Sequence, residues 1–352
     1  MVDRSNKVDV FRGLLFALMV NSHALTLAHV PPSHWFWTDW WLPKGWATVV
    51  FVILSGYGVG LVYTQRAVAS RAPRLQRRCL QLLGVMAASN TVFAMLREAS
   101  AGNFEVVSTM NWWLGFLTFE TKWTISGVLL PTAMVMLCGA AIIRWTLKSP
   151  WTVLAALAVA RLAVTALTLQ LAPTPHAQDW LVRFLLFKGF GGYPVVPFVI
   201  NGCIGIWLGV MRRQREPAWK AAMAALLLLQ LAFYLSFCLL PGALLTQGLK
   251  TLSPLGKFAC VFIVTHQFER FGPRALVEAV EMVGRFALGS FVMHRVFIQL
   301  LAYAMAAYAL AVGGFEQRYV VLVAGTLFLT WGLCHLRQRI ELVNAPFRRL
   351  AL

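Results

Sequence analysis

The sequence predicts an all-α protein, a polytopic transmembrane helix bundle of about ten helices. Of its 352 residues, 59% are hydrophobic and only 12% are charged, about half the charged share of an ordinary soluble domain. So apolar a chain cannot cover a water-facing surface, whereas a bilayer requires no such cover. The 31 Lys and Arg residues outnumber the 13 Asp and Glu, and they stand in short clusters between long apolar stretches, as the positive-inside rule describes.

Ten segments are long enough to cross a bilayer, which takes roughly 20 apolar residues. Their predicted bounds are Val8–Ala28, Gly45–Thr64, Cys79–Leu96, Thr124–Trp145, Trp151–Leu171, Gly192–Met211, Ala218–Leu240, Leu252–Phe268, Phe286–Val312 and Tyr319–Leu336. Two aromatic segments, Asn111–Phe119 and Trp180–Phe190, are too short to cross, and we expect them at the outer interface. Residues 1–352 are therefore expected to form a single integral-membrane domain.

The loop charges predict the orientation of the bundle. Basic residues gather at both termini and in every second loop, which places the N- and C-termini in the cytoplasm of a bacterial inner membrane. Nucleic acid is not an expected partner, because its binding needs basic residues collected on one soluble face. The six cysteines lie within or beside apolar segments without CxxC spacing, so no metal site and no disulfide framework are predicted.

Polar residues in the first predicted crossing are candidates for a catalytic role. Asp9 and Arg12 are three residues apart and can pair near the inner surface. His23 follows Arg12 by eleven residues, which is close to a whole number of helical turns, so both side chains lie on the same face of the helix. His23 is about 16 Å further along the helix axis, in the outer half of the membrane. An imidazole there can act as a general base; the alternative is a structural histidine bonded to a neighbouring helix. His294 is expected at inner-leaflet depth.

Two further stretches have both a functional and a structural interpretation. Arginines from Arg71 to Arg78 stand at the cytoplasmic entry to the third crossing, where guanidinium groups can bind the phosphates of a CoA thioester or anionic lipid headgroups. The small residues of Ser55–Gly60 favour close helix packing. The tryptophans of the first outer loop indicate an aromatic belt, with a sugar-stacking platform as the alternative; they are Trp35, Trp37, Trp40 and Trp41.

Four of these stretches together resemble acyltransferase family 3. The segment Val8–Leu14 followed by Asn21-Ser22-His23 resembles the family's opening helix, D-x-x-R-G…H, and Phe51–Gly60 resembles its second helix, F-x-x-L-S-G-[FY]. Arg74-x-x-Arg77 matches its R-x-x-R element, and Gly289–His294 is similar to its S-x-x-x-x-H stretch. The family's W-x-L-x-x-E element has no counterpart, since Trp123-Thr124-Ile125-Ser126-Gly127 contains no acid.

The resemblance implies a membrane-bound O-acyltransferase. It would move an acetyl or succinyl group from cytoplasmic acyl-CoA, its co-substrate, to a carbohydrate hydroxyl of a cell-envelope glycan or glycolipid, with no bound cofactor. His23 is implied as the catalytic residue and the arginines as the donor site. The donor-binding residues are Arg74, Arg77 and Arg78, and the supporting residues are Asp9, Arg12, Ser55, Tyr57 and His294.

The expected partners are acyl-CoA, the glycan or glycolipid acceptor and membrane lipids, and a homo-oligomer is compatible with the sequence. Two other functions stay open. A transporter or flippase of a lipid-linked or small polar substrate would show inverted internal repeats, and none is evident. A catalytically inactive relative would serve as an assembly partner.

Overall fold

The computed structural model describes residues 6–37, 46–100, 102–117, 123, 126–187, 193–240, 244–307, 314–341 and 343–345, and within these ranges the regular elements are all helical. The helices are α1 Asn6–Leu27, α2 Trp46–Tyr63, α3 Val68–Ser100, α4 Met110–Leu117, α5 Ser126–Lys148, α6 Pro150–Leu171, α7 Trp180–Val182, α8 Val195–Gln214, α9 Glu216–Leu239, α10 Leu244–Phe271, α11 Arg274–Arg285, α12 Ala287–Ala307 and α13 Phe315–Arg339.

Ten helices within the described ranges are long and apolar enough to cross a membrane. They are α1, α2, α3, α5, α6, α8, α9, α10, α12 and α13, and each corresponds to one predicted crossing. The all-α multi-pass architecture is therefore confirmed. The two aromatic segments form only the short helices α4 and α7, the latter continued by Arg183–Phe187; their position at the outer interface stays a prediction, and residues 118–119 and 188–190 lie outside the described ranges.

Two differences from the prediction involve basic segments. The third crossing begins at Val68 rather than Cys79, because the segment before Cys79 is rich in the good helix formers Ala, Leu, Arg and Gln, although its arginines and glutamine are polar. The basic segment expected as an inner loop before the ninth crossing contains α11, whose charged side chains pair along the helix: Arg274 with Glu278 at 2.9 Å and Arg285 with Glu281 at 2.7 Å.

The chain divides into two compact units, the first formed by residues 1–48, 99–102 and 262–352. In this unit α11 packs closely against the start of α1. A Cβ added at Gly13 would collide with the Val280 carbonyl, and one added at Gly284 would collide with the Asp9 carbonyl. Glycines on both helices thus let the two backbones touch, and this contact determines where along α1 the following helix, α12, begins.

The second unit comprises residues 49–98 and 103–261, with α8 at its centre. Every residue from Asn201 to Met211 is buried, as expected for a helix that is apolar on all sides. The α2–α8 contact consists largely of glycine. A Cβ on Gly56 would meet the Gly202 carbonyl, and one on Gly205 would meet the Ile53 carbonyl. The prediction that Ser55–Gly60 serves close helix packing is confirmed.

Candidate active site

The first unit brings together two histidines from different helices. His23 lies one turn before the end of α1, and His294 lies two turns into α12. Their imidazole rings stack with centroids 5.4 Å apart and planes inclined by 13°. The sequence-based expectations that His23 lies in the outer half of the membrane and His294 at inner-leaflet depth are incompatible with each other, because the two rings are level. The two rings meet because α11 packs against the first turns of α1, so that α12 begins part-way along α1.

His294 is fully buried, with 0% of its surface exposed. Its Nδ1 lies 3.2 Å from the Ser290 carbonyl oxygen. A carbonyl can only accept, so Nδ1 carries the proton and the lone pair of the neutral ring is on Nε2. Nε2 has no hydrogen-bond partner among the described residues. Phe16 packs edge-on against the same ring, at 5.4 Å, so His294 is fixed by contacts on both sides.

Asp9 and Arg12 form the predicted ion pair at the other end of α1. The Arg12 Nη1 lies 3.1 Å from the Asp9 Oδ1, and Asp9 is only 2% exposed. Their spacing of three residues places both side chains on one helical face. Gly13 follows Arg12 directly and contacts α11. The D-x-x-R-G segment therefore has a structural role, because it packs against α11 at the start of α1.

Asn21 is a buried polar residue whose role the sequence did not indicate. Its side-chain oxygen accepts a hydrogen bond of 2.5 Å from the hydroxyl of Tyr319, which joins α1 to the first turns of α13. Its Nδ2 has no hydrogen-bond partner in the part of the chain that the structure describes. Burying an asparagine in a membrane-spanning helix costs free energy. Its presence in a predicted crossing is therefore the sequence signal from which a role could have been inferred.

The loop after α1 folds onto the start of α13. The indole nitrogen of Trp37 donates to the Val30 carbonyl at 2.8 Å, so Trp37 holds the loop together. Trp35 is half exposed, and the neighbouring His34 lies 3.2 Å from the Glu316 carboxylate. Neither the aromatic belt nor the sugar platform is tested by these contacts, and Trp40 and Trp41 lie outside the described residues.

The supporting residues of the second helix belong to the second unit. Ser55 donates to the Phe51 carbonyl of its own helix at 2.8 Å. Tyr57 is buried, and its hydroxyl lies within hydrogen-bonding reach of Arg212 on α8. Tyr57 thus takes part in the α2–α8 contact, whereas Ser55 bonds within α2, and the proposed support of catalysis by both residues stays a prediction.

The arginine cluster on α3 contains one buried and three exposed side chains. Arg71 is buried and donates to two backbone carbonyls at the end of α2, those of Thr64 and Arg66, each at 3.0 Å. It therefore satisfies carbonyls that a helix end leaves without partners. The three arginines predicted to bind the donor, in contrast, lie exposed along one side of α3. They are Arg74, Arg77 and Arg78, which helical geometry places side by side.

Comparison with known protein families gives one match. A family model described as an acyltransferase domain, that of acyltransferase family 3, matches residues 5–335, which is nearly the whole chain and includes both histidines. The comparisons with curated protein sequences and with solved structures each found no match.

Proposed function

The chain belongs to acyltransferase family 3, and from that premise we propose that this membrane protein moves an acetyl or succinyl group from acyl-CoA to a carbohydrate hydroxyl of a cell-envelope glycan or glycolipid. The observation that carries the proposal is the stacked pair His23–His294. Imidazole is the side chain best suited to take a proton near neutral pH, and the stack holds His23 in one orientation.

His23 acts as the general base in this proposal. The acceptor oxygen attacks the carbonyl carbon of the thioester while its proton passes to the His23 imidazole. The carbon–sulfur bond then breaks, and its electron pair leaves with the CoA thiolate. A covalent route, in which His23 first takes the acyl group itself, uses the same residue.

The donor approaches from the cytoplasm, where the loop charges place the start of α3. Exposed guanidinium groups on one side of that helix suit the several phosphates of CoA. Arg74, Arg77 and Arg78 are the residues we propose for this contact. The acceptor enters from the opposite, periplasmic face, towards which the loop charges direct the His23 end of α1.

Acyl transfer from labelled acetyl-CoA and succinyl-CoA tests the proposal on the purified protein in liposomes, with membrane glycolipids as acceptors. We expect His23→Ala to lower transfer about 10²–10⁴-fold, the usual contribution of general-base catalysis. The matched control is His176→Ala, which removes an imidazole that is 71% exposed in a loop and should leave transfer unchanged.

Three results would contradict the assignment in different ways. Undiminished transfer by His23→Ala would remove His23 from the chemistry. Binding of acyl-CoA without turnover by the unmodified protein would favour the inactive relative. A protein indifferent to CoA would leave the transporter as the better account.

A further inference from the structure

At the end of unit 1 that the loop charges place on the outer face, an exposed aromatic ring and an exposed carboxylate lie beside the same histidine. Trp35, in the loop after α1, is 53% exposed, and its ring centroid lies 5.9 Å from that of His34. Glu316, in the first turn of α13, is 61% exposed, and its Oε1 lies 3.2 Å from the His34 Nε2. We call Trp35, His34 and Glu316 the outer platform.

His34 holds the Glu316 carboxylate in a defined orientation. The Phe36 backbone N–H donates to the His34 Nδ1 at 3.4 Å, so the proton of the neutral ring is on Nε2, which donates to Glu316. Phe36 and Phe315 pack edge-on against the imidazole at 4.5 and 5.0 Å and restrict its rotation. A carboxylate has about four acceptor sites, and within the described ranges Glu316 uses one of them, so it can accept hydrogen bonds from a ligand.

Trp35 is held in place by its neighbours. Its ring packs edge-on against Phe36 at 4.5 Å, and Phe36 is buried and packs on Tyr319 at 4.7 Å. The next residue but one, Trp37, closes the loop through its hydrogen bond of 2.8 Å to the Val30 carbonyl. A ligand therefore meets a surface that is already formed, which avoids the entropy cost of ordering a loop on binding.

A sugar ring is the ligand that matches an aromatic ring next to an oriented carboxylate. The C–H groups on one face of a pyranose are apolar and pack on an indole, while its hydroxyls donate charge-assisted hydrogen bonds to a carboxylate. A lipid-facing aromatic belt accounts for Trp35 alone. It gives no role to the carboxylate that His34 orients, and the first turn of α13 presents three consecutive exposed polar residues, Glu316, Gln317 and Arg318, which lipid chains disfavour.

We propose that the outer platform binds a sugar ring of the acceptor, with Trp35 packed on the face of the ring and Glu316 accepting hydrogen bonds from its hydroxyls. That this sugar belongs to the acyl acceptor rests on the proposed function, whereas sugar binding by the platform does not.

The platform lies near the level of His23 along the helix axes. The hydrogen bond between Asn21 and Tyr319 sets these two residues level. His23 follows Asn21 by two residues on α1, and Glu316 precedes Tyr319 by one turn on the antiparallel α13, so both lie on the outer side of that bond. A glycan held at the platform is therefore at the depth of the proposed base.

Sugar binding can be tested without any acyl donor. Protein labelled with fluorotryptophan in liposomes is studied by fluorine NMR, with the Trp35 signal assigned from Trp35→Phe. The probes are pentasaccharides of glucose, mannose, galactose and rhamnose. We expect at least one of them to shift the Trp35 signal, and Glu316→Gln to weaken that binding about 10-fold through loss of a charged acceptor. Glutamine keeps the size of glutamate and can still accept from His34, so the variant should fold.

The chain offers matched controls for both side chains. Glu278→Gln changes a carboxylate of the same 61% exposure that also pairs with a basic side chain, and it should leave binding unchanged. Trp151 in unit 2 is 55% exposed, and its signal should not shift. A Trp35 signal that no pentasaccharide moves, or that responds equally in Glu316→Gln and Glu278→Gln, would overturn the proposal. A Trp35 signal broadened by a nitroxide on the lipid chains and unmoved by sugar would overturn it in favour of the aromatic belt.

Turnover tests whether the bound sugar belongs to the acceptor. Trp35→Ala and Glu316→Gln should each raise the KM for the glycolipid acceptor several-fold and leave kcat and the KM for acyl-CoA unchanged, because the platform binds the acceptor equally before and during the reaction. Trp151→Ala should change none of these constants. A lower kcat with an unchanged acceptor KM would overturn the assignment to the acceptor. Absence of acyl transfer in the unmodified protein would instead refute the proposed function, while the NMR result on sugar binding would stand by itself.

Discussion

Two helix contacts, one in each unit, are built in opposite ways. In unit 2, α2 and α8 meet through glycines, with backbone directly on backbone. In unit 1, α1 meets α12 and α13 through side chains, among them His23, His294 and Asn21, and several polar atoms there stay without partners in the described structure. The first contact fixes geometry at low cost. The contact in unit 1 is less stabilising because it keeps unpaired polar groups in place, as functional sites commonly do.

The largest expected effect is in the glycine contact. Gly56→Leu should abolish folding of the protein, because even a Cβ at this position collides with the Gly202 carbonyl, and a backbone atom cannot move aside as a side chain can. The measurement is the monodisperse fraction on size-exclusion chromatography after solubilisation. Gly84→Leu is the control, since a Cβ on Gly84 meets only open space. Equal yields of the two variants would refute the account of α2–α8.

A second prediction separates the two kinds of arginine on α3. Arg71→Ala should lower the free energy of unfolding by about 1.5–3 kcal/mol, because two backbone carbonyls lose charged donors. Arg77→Ala removes an exposed side chain and should change stability by less than about 0.5 kcal/mol, while raising the KM for acyl-CoA.

Thermal unfolding and donor kinetics, measured on both variants, check this division. An Arg77→Ala protein with unchanged KM would indicate that the exposed arginines face lipid headgroups, which is the alternative that the sequence left open.

A third prediction concerns the polar contact in unit 1. Tyr319→Phe should destabilise the protein by about 1–3 kcal/mol, because the buried Asn21 oxygen loses its donor. Adding Asn21→Leu should recover part of that loss, since both unpaired groups are then gone. A double-mutant cycle on thermal unfolding measures the coupling; strictly additive losses would show that the Asn21–Tyr319 hydrogen bond contributes nothing to stability.

The parts of this architecture that the sequence could predict are the local ones. Ten crossings follow from the length and hydropathy of each segment alone, and the Asp9–Arg12 pair follows from helical spacing. The level of His294 could not be predicted, because it depends on α11, a helix with a polar face that resembles a basic loop in sequence. The Asn21–Tyr319 bond joins residues 298 positions apart, and nothing local in either segment indicates the other.

The central claim is that His23 acts in acyl transfer while the stacked His294 ring holds it in position. The most direct measurement is kcat/KM for acyl transfer by His23→Ala, by His294→Ala and by the variant carrying both changes, with thermal unfolding to show that each is folded. Residues that act together lose activity in a strongly non-additive way. We therefore predict that the double variant is no slower than His23→Ala alone. Losses that multiply in the double variant would contradict the claim and show that the two imidazoles act independently.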